Sequence, residues 1–161
     1  MKKDIFIDNN IAKNFTNPMD PEYVKLIKWL MASKDVPEGK DDHINAHIVV
    51  SQKLLNEYNR SAMNASSATC IHVIIEFLQR NKRLIRISND AIKEFRNEHF
   101  TKAVERKLAS NNEDRDHIPV VLLSHRQYAL SIDDNFIKDL KGFPKFNVTV
   151  AKRPQDIAYA S

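Results

Sequence analysis

Acidic residues recur in this chain where a hydrophobic run stops or a helical one starts. Asp8 closes the run Ile5-Phe6-Ile7, and Asp133 closes the segment Tyr128 to Ile132. Glu57 falls in the polar-apolar pattern that follows Ile48-Val49-Val50, and Asp114 and Asp116 open the spaced run Ile118, Val121, Leu122. If the hydrophobic runs are buried parallel strands, their carboxyl ends border the crevice where ligands of open α/β sheets bind. Carboxylates gathered in one crevice repel one another and hold protons more tightly unless a cation neutralises them. Oxygen-only donors suit Mg²⁺ or Mn²⁺. Such a group can bind a phosphodiester, activate water and stabilise a leaving oxygen.

The elements that would position these acids follow from the patterning. Asp4–Ile7 reads as a strand buried on both faces, followed by a helix from Ile11 to Phe15 capped by Asn9 or Asn10. Asp20-Pro21 starts a helix with Val24, Ile27 and Trp29-Leu30-Met31 on its apolar side. A second strand ends at Ile48–Val50, and Ser51 caps the helix Gln52–Arg60 that carries Glu57. The small residues Ala65 to Ala68 lead into an apolar helix ending at Arg80. The strand Leu84–Ile87 follows, then a basic amphipathic helix capped by Asn89 or Asp90. The fourth strand is Tyr128–Ile132, and Phe146–Val150 alternates as a fifth. This order predicts an α/β fold around a mostly parallel sheet of about five strands.

The chain has 161 residues, enough for one domain spanning residues 1–161, with about 87–110 read as a helical insert. Hydrophobic residues make up 42% and charged residues 29%, a globular balance that excludes a disordered chain. The 25 Lys and Arg against 21 Asp and Glu give a net charge of +4, which permits a nucleic-acid partner without requiring one. The one cysteine, Cys70, excludes an internal disulfide and a cysteine-cluster zinc site. Two glycines, Gly39 and Gly142, exclude a Gly-rich phosphate loop and a nucleophile elbow. No apolar run approaches the ~20 residues of a membrane span, and the N-terminus lacks a secretory pattern, so a cytoplasmic location without membrane contact is expected.

The segments FIDNN, LLNEY, DRDHIPVVLLS and ALSIDDNF together resemble the PIN-domain nucleases across nearly the whole chain, including the toxin ribonucleases of type II toxin–antitoxin pairs. Asp8 matches the family's first acid and Asn10 its asparagine, with Asn9 in place of the usual hydroxyl residue. Glu57 matches the second acid, and Ser131-Ile132-Asp133 through Phe136 matches the fourth segment. Gln127-Tyr128 stands where the family usually has a glycine. For the third acid, the adjoining His117-Ile118 wording favours Asp116, whereas helical phase favours Asp114. The resemblance implies a three-layer α/β/α fold and an endoribonuclease dependent on Mg²⁺ or Mn²⁺. It implies Asp8, Glu57, Asp116 and Asp133 as catalytic, and Asp8, Asp116, Asp133 and Asp114 as metal-holding. Asn10 and Ser131 would orient the carboxylates. Arg80, Lys82, Arg83, Arg86, Lys102 and Arg106 are the cations expected to track RNA. A small antitoxin protein and a homodimer are further expected partners.

Other readings fit less well. A haloacid-dehalogenase-type phosphatase needs a second Asp where Asn10 stands, and a receiver domain needs an acidic neighbour that Asp8 lacks. His43 and His47 are spaced for one helical turn, but no Glu completes a zinc-protease motif. His72 and His117 read as core or capping residues. The competing class is a PIN-like module that binds RNA or protein and is catalytically silent.

Overall fold

Ile5, Phe6 and Ile7 are fully buried because β1 (Lys3–Ile7) is the middle strand of a five-stranded sheet. The computed structural model describes residues 1–62 and 67–161, the side chain of Ala62 excepted. Ala65 and Ser66, expected to lead into a helix, lie outside the described residues. β1 pairs on one side with β2 (Ala46–Val50) and on the other with β4 (Tyr128–Leu130). β3 (Leu84–Arg86) and β5 (Thr149–Ala151) form the edges, in the order β3-β2-β1-β4-β5. All four pairings are parallel, with Ile5 beside Ile48 and Ile7 beside Leu130. Every residue of β2 is buried, as expected of a parallel strand covered on both faces.

The chain leaves β1 toward β2 and β3, then crosses back to β4 and β5, so the strand order reverses between β1 and β4. Right-handed crossovers place the helices of the two halves on opposite faces of the sheet. One layer holds α1 (Asn9–Ala12), α2 (Pro21–Met31), α3 (Gln52–Ala62) and α4 (Ile71–Arg80), which pack on one another. The other holds α5 (Asn89–His99), α7 (His117–Leu122) and α8 (Asp134–Gly142), joined through α7. The three-layer α/β/α expectation is borne out. The span expected as a helical insert forms α5 and the short α6 (Lys102–Lys107), and Ile92, Phe95 and Phe100 tie it to the common core.

Local departures from expectation have local causes. Asp8, rather than Asn9 or Asn10, caps α1, and its side chain accepts from the Asn9 amide. Ser88, rather than Asn89 or Asp90, caps α5, with Oγ accepting from the Ala91 amide. In both, the capping residue lies shortly after a strand and keeps the extended backbone a cap requires. Strands β4 and β5 are three residues each, and the Ser131 amide, just past β4, still donates to the Ala151 carbonyl at 3.1 Å.

Two buried acids hold loops in place. Asp4 accepts the His125 and Arg126 amides at 2.7 and 3.0 Å, fixing the entry to β4. Asp139 accepts the Ala109 and Ser110 amides at 2.7 and 2.8 Å, fixing the segment before α7. Arg83 is 1% exposed and donates from Nη1 to the Ala32 carbonyl at 2.7 Å and from Nη2 to the Leu30 carbonyl at 3.2 Å. It satisfies the carbonyls that α2 leaves without partners, and its guanidinium lies 5.0 Å from the Phe77 ring centroid. This removes Arg83 from the surface cations expected to meet RNA. Arg83→Met should therefore lower unfolding free energy by about 2–4 kcal/mol in urea denaturation, since it strips charged donors from buried carbonyls. A change within about 0.5 kcal/mol would instead be that of a surface residue.

Candidate functional site

The reversal of strand order places the carboxyl ends of β1 and β4 side by side, and Asp8 follows β1 there. The Asp8 amide donates to the Leu130 carbonyl at 2.9 Å, so the two strand ends are joined at this residue. Its Oδ1 accepts the Asn9 amide at 2.8 Å. Its Oδ2 accepts the Ser131 hydroxyl at 2.7 Å and the Asn10 amide group at 3.3 Å. Asn10 in turn accepts the Ile132 amide, and Ser131 Oγ accepts the Asp133 amide at 3.1 Å. Asp8, Asn10, Ser131 and the start of the α8 segment are thus one hydrogen-bonded unit. Ser131 is fully buried. Beneath it, the buried Tyr58 hydroxyl donates to the Ile7 carbonyl and ties α3 to β1. Burial holds the Tyr58 phenol well above its ordinary pKa.

Glu57 is the neighbour of Tyr58 on α3, and its Oε2 lies 2.8 Å from His117 Nε2. A carboxylate only accepts, so the proton of this bond sits on Nε2. His117 is 2% exposed, wedged between the Phe6 and Phe136 rings, and its Nδ1 has no partner among the described residues. It is a core histidine, and it also fixes the direction of a carboxylate. Asp133 caps α8 through Oδ1, which accepts the Asn135 and Phe136 amides at 2.9 and 3.2 Å. Its Oδ2 makes no hydrogen bond among the described residues.

The electrostatics of the group are those of acids sharing a crevice. The Asp8 carboxyl is raised above its ordinary pKa, chiefly by burial. The Ser131 hydrogen bond, His117 and the Asn9 amide pull it down, and the charge of Glu57 pushes it up. The Asp114 carboxyl is also raised, first by burial, with His117 opposing and Asp133 and Glu57 adding to the rise. Glu57 therefore acts on both Asp8 and Asp114, and Asp133 acts on Asp114.

Asp116 is differently placed. It ends a 3-10 turn over Asp114–Asp116 that runs into α7, and its Oδ1 accepts Arg96 Nη1 at 2.5 Å while Oδ2 lies 3.7 Å from Lys53 Nζ. The two candidates for the third acid therefore differ in their surroundings. Asp114 faces the acidic crevice, and Asp116 faces two cations.

The cations expected to meet RNA are dispersed. Arg80 and Lys82 flank the turn that enters β3, at the amino end of the sheet and opposite the acids. Arg86 lies at the carboxyl end of β3 but lines a separate hollow with Gln52, Asn59 and His72. Lys102 and Arg106 are exposed on α6. Arg96 and Lys53 lie nearer the acids; the sequence places Arg96 on the basic face of its helix without singling it out, and passes over Lys53. The signal for Lys53 was its position four residues before Glu57, which puts both on one face of α3.

Among the described residues, no three acidic or histidine side chains converge closely enough to make a ready metal-ligand group. The donor chemistry nevertheless fits a hard cation. Every candidate ligand atom is a carboxylate oxygen, two of the carboxyls hold protons above their ordinary range, and Asp133 Oδ2 is open. No family model matches the chain, and no characterised protein matches it in sequence.

Ionised Asp8 is held at a cost in the folded state. Because its folded pKa is raised, it favours folding fully below about pH 3.8, and that contribution is lost as pH rises through the folded value. Asp8→Asn should therefore melt above the parent at pH 7 in EDTA by roughly 2–4 °C, the equivalent of about 1 kcal/mol in a chain this size. Differential scanning calorimetry from pH 4 to 7.5 should show the gap closing on acidification. A gap that widens on acidification would contradict the raised carboxyl.

Proposed function

We propose that the chain is a divalent-metal-dependent endoribonuclease that hydrolyses phosphodiester bonds at the acidic crevice between β1 and β4. The observation that carries this reading is the Asp8 carboxylate, kept at the switch point of a parallel sheet, linked through the Ser131 hydroxyl to the Asp133 amide and within electrostatic reach of Glu57, which also acts on Asp114. The four-segment resemblance to PIN-domain nucleases supports the choice of RNA. A toxin role in the cytoplasm, an antitoxin partner and a homodimer rest on that resemblance alone. No helix among the described residues is long and apolar enough to cross a membrane.

In this reading Asp8, Asp114 and Asp133 hold Mg²⁺ or Mn²⁺. The ion supplies charge neutralisation at the phosphate and a more acidic bound water. Ser131 and Asn10 orient Asp8 so that its remaining lone pairs face the crevice. Glu57, held by His117, accepts the proton of the attacking water. Asp116 lies outside this group and supports cations instead.

A second reading has its own observation. Glu57 is engaged by His117, and Asp133 by the first turn of α8, as in a module that keeps the fold without the chemistry. Incubating the purified protein with a mixed RNA pool, with Mn²⁺, Mg²⁺ or EDTA, separates the two. Cleavage should require metal and vanish in Asp8→Asn. Asp114→Ala should cost more than about 100-fold, above the 10–100-fold typical of a residue that only supports a ligand, and Asp116→Ala less than Asp114→Ala. Binding of RNA that is indifferent to metal, without cleavage by any preparation, would favour the silent module.

A further inference from the structure

Beside the acidic crevice, α3 and α5 bound a cavity of about 370 Å³ lined by Lys53, Asn89, Lys93, Arg96, Asn97 and Asp116. Its polar lining is cationic and amide-bearing, with a single acid, and Ile92 adds an apolar surface. That acid is the one the sequence wording assigned to the metal. Asp116 takes Arg96 Nη1 on one oxygen and faces Lys53 with the other. An anionic oxygen pair between a guanidinium and an ammonium is also the arrangement of a bound phosphodiester.

From this juxtaposition we propose that the cleft is an RNA phosphate subsite, in which the Asp116 carboxylate occupies the place of a backbone phosphate until the strand displaces it. The proposal rests on the ribonuclease reading for its choice of ligand. Arg96 is held ready for the exchange. Its Nη2 donates to Asn112 Oδ1 at 3.3 Å, and its guanidinium lies 4.9 Å from the Phe100 ring centroid. It keeps its position when Asp116 turns away, so little ordering is left for the ligand to impose. Lys53 is likewise fixed, because its Nζ also donates to the Glu113 carbonyl.

Displacement is cheap. The side chains of Arg96, Lys53 and Asp116 are 24%, 31% and 37% exposed, and ion pairs with such access to water contribute little. The location suits a strand that passes the acids. Lys53 stands one helical turn before Glu57 on the same face of α3, and its Nζ donates to the carbonyl of Glu113, the residue before Asp114. A phosphate between Lys53 and Arg96 therefore sits next to the crevice, and the adjoining phosphodiester falls over the carboxylates. Asn89, Lys93 and Asn97 line the same cavity and offer donors to further phosphate or sugar oxygens.

This reading reverses the expectation for Asp116. A metal ligand changed to Asn loses metal and activity, whereas a placeholder changed to Asn frees two cations. The test is fluorescence-anisotropy binding of a single-stranded RNA 12-mer in EDTA, in the Asp8→Asn background so that no cleavage intervenes, from 50 to 200 mM salt. Asp116→Asn should tighten binding about 3–10-fold and steepen the log K against log[salt] slope by about 0.7 per freed cation. Arg96→Gln should weaken binding and flatten the slope by about 0.7. Adding Asp116→Asn to Arg96→Gln should then give much less than its effect alone. Glu105→Gln, which raises net charge equally from the exposed face of α6, should leave the affinity within about twofold. Unchanged or weaker binding by Asp116→Asn would overturn the subsite, as would equal tightening by Glu105→Gln or no binding at 50 mM salt. None of these readouts depends on cleavage, so a catalytically silent chain that passes them keeps the subsite and loses only the nuclease reading.

Discussion

The structure depends on one constraint: a carboxylate must be kept at the buried end of the central strand. Asp8 follows three fully buried residues and joins β1 to β4 through the Leu130 carbonyl, so it cannot withdraw to solvent. Burying an ionised group is costly unless hydrogen bonds and opposite charge compensate. Ser131, Asn10 and the Asn9 amide supply the hydrogen bonds, and the Asn10–Ser131 pair then fixes the loop that presents Asp133. What those bonds leave uncompensated is the raised Asp8 carboxyl.

The second layer of organisation follows from α7. All six of its residues are buried, so the helix is anchored entirely by its sides, and the 3-10 turn before it sets where the acids point. His117 enters the core between Phe6 and Phe136 and reaches Glu57 across the sheet end. One residue earlier the chain pairs with Arg96 and Lys53, and three residues earlier the Asp114 carboxyl is raised by burial and by the charges of Asp133 and Glu57. A single turn thereby divides an acidic crevice from a basic cleft. Crevice and cleft side by side suit a polyanion with a cation better than a small neutral ligand.

Much of the fold was legible because its signals are local. The contiguous run Ile5-Phe6-Ile7 marks a doubly covered strand, and the order of strands and helices implies parallel pairing. Helical phase identified Asp114 as the acid on the side of Ile118, Val121 and Leu122, whereas the Asp-His-Ile wording pointed to Asp116. Phase is a geometric property of this chain; in the fold Asp116 pairs with Arg96, and Asp114 is the one on which Glu57 and Asp133 act. The contacts that were not legible are distant in sequence. Arg83 finds its carbonyls 51 and 53 residues away, His117 meets Glu57 across 60, and Arg96 meets Asp116 across 20. Nothing in a basic run such as Arg80–Arg86 says which member will turn inward.

The central claim, that Asp8 gathers carboxylates into a cation site, is tested most directly by Mn²⁺ titration followed by electron paramagnetic resonance at pH 7. The account predicts protein-bound Mn²⁺ that is lost in Asp8→Asn and in Asp114→Asn and retained in Asp116→Asn. Binding that survives Asp8→Asn, or that is lost in Asp116→Asn while Asp114→Asn keeps it, would contradict the account.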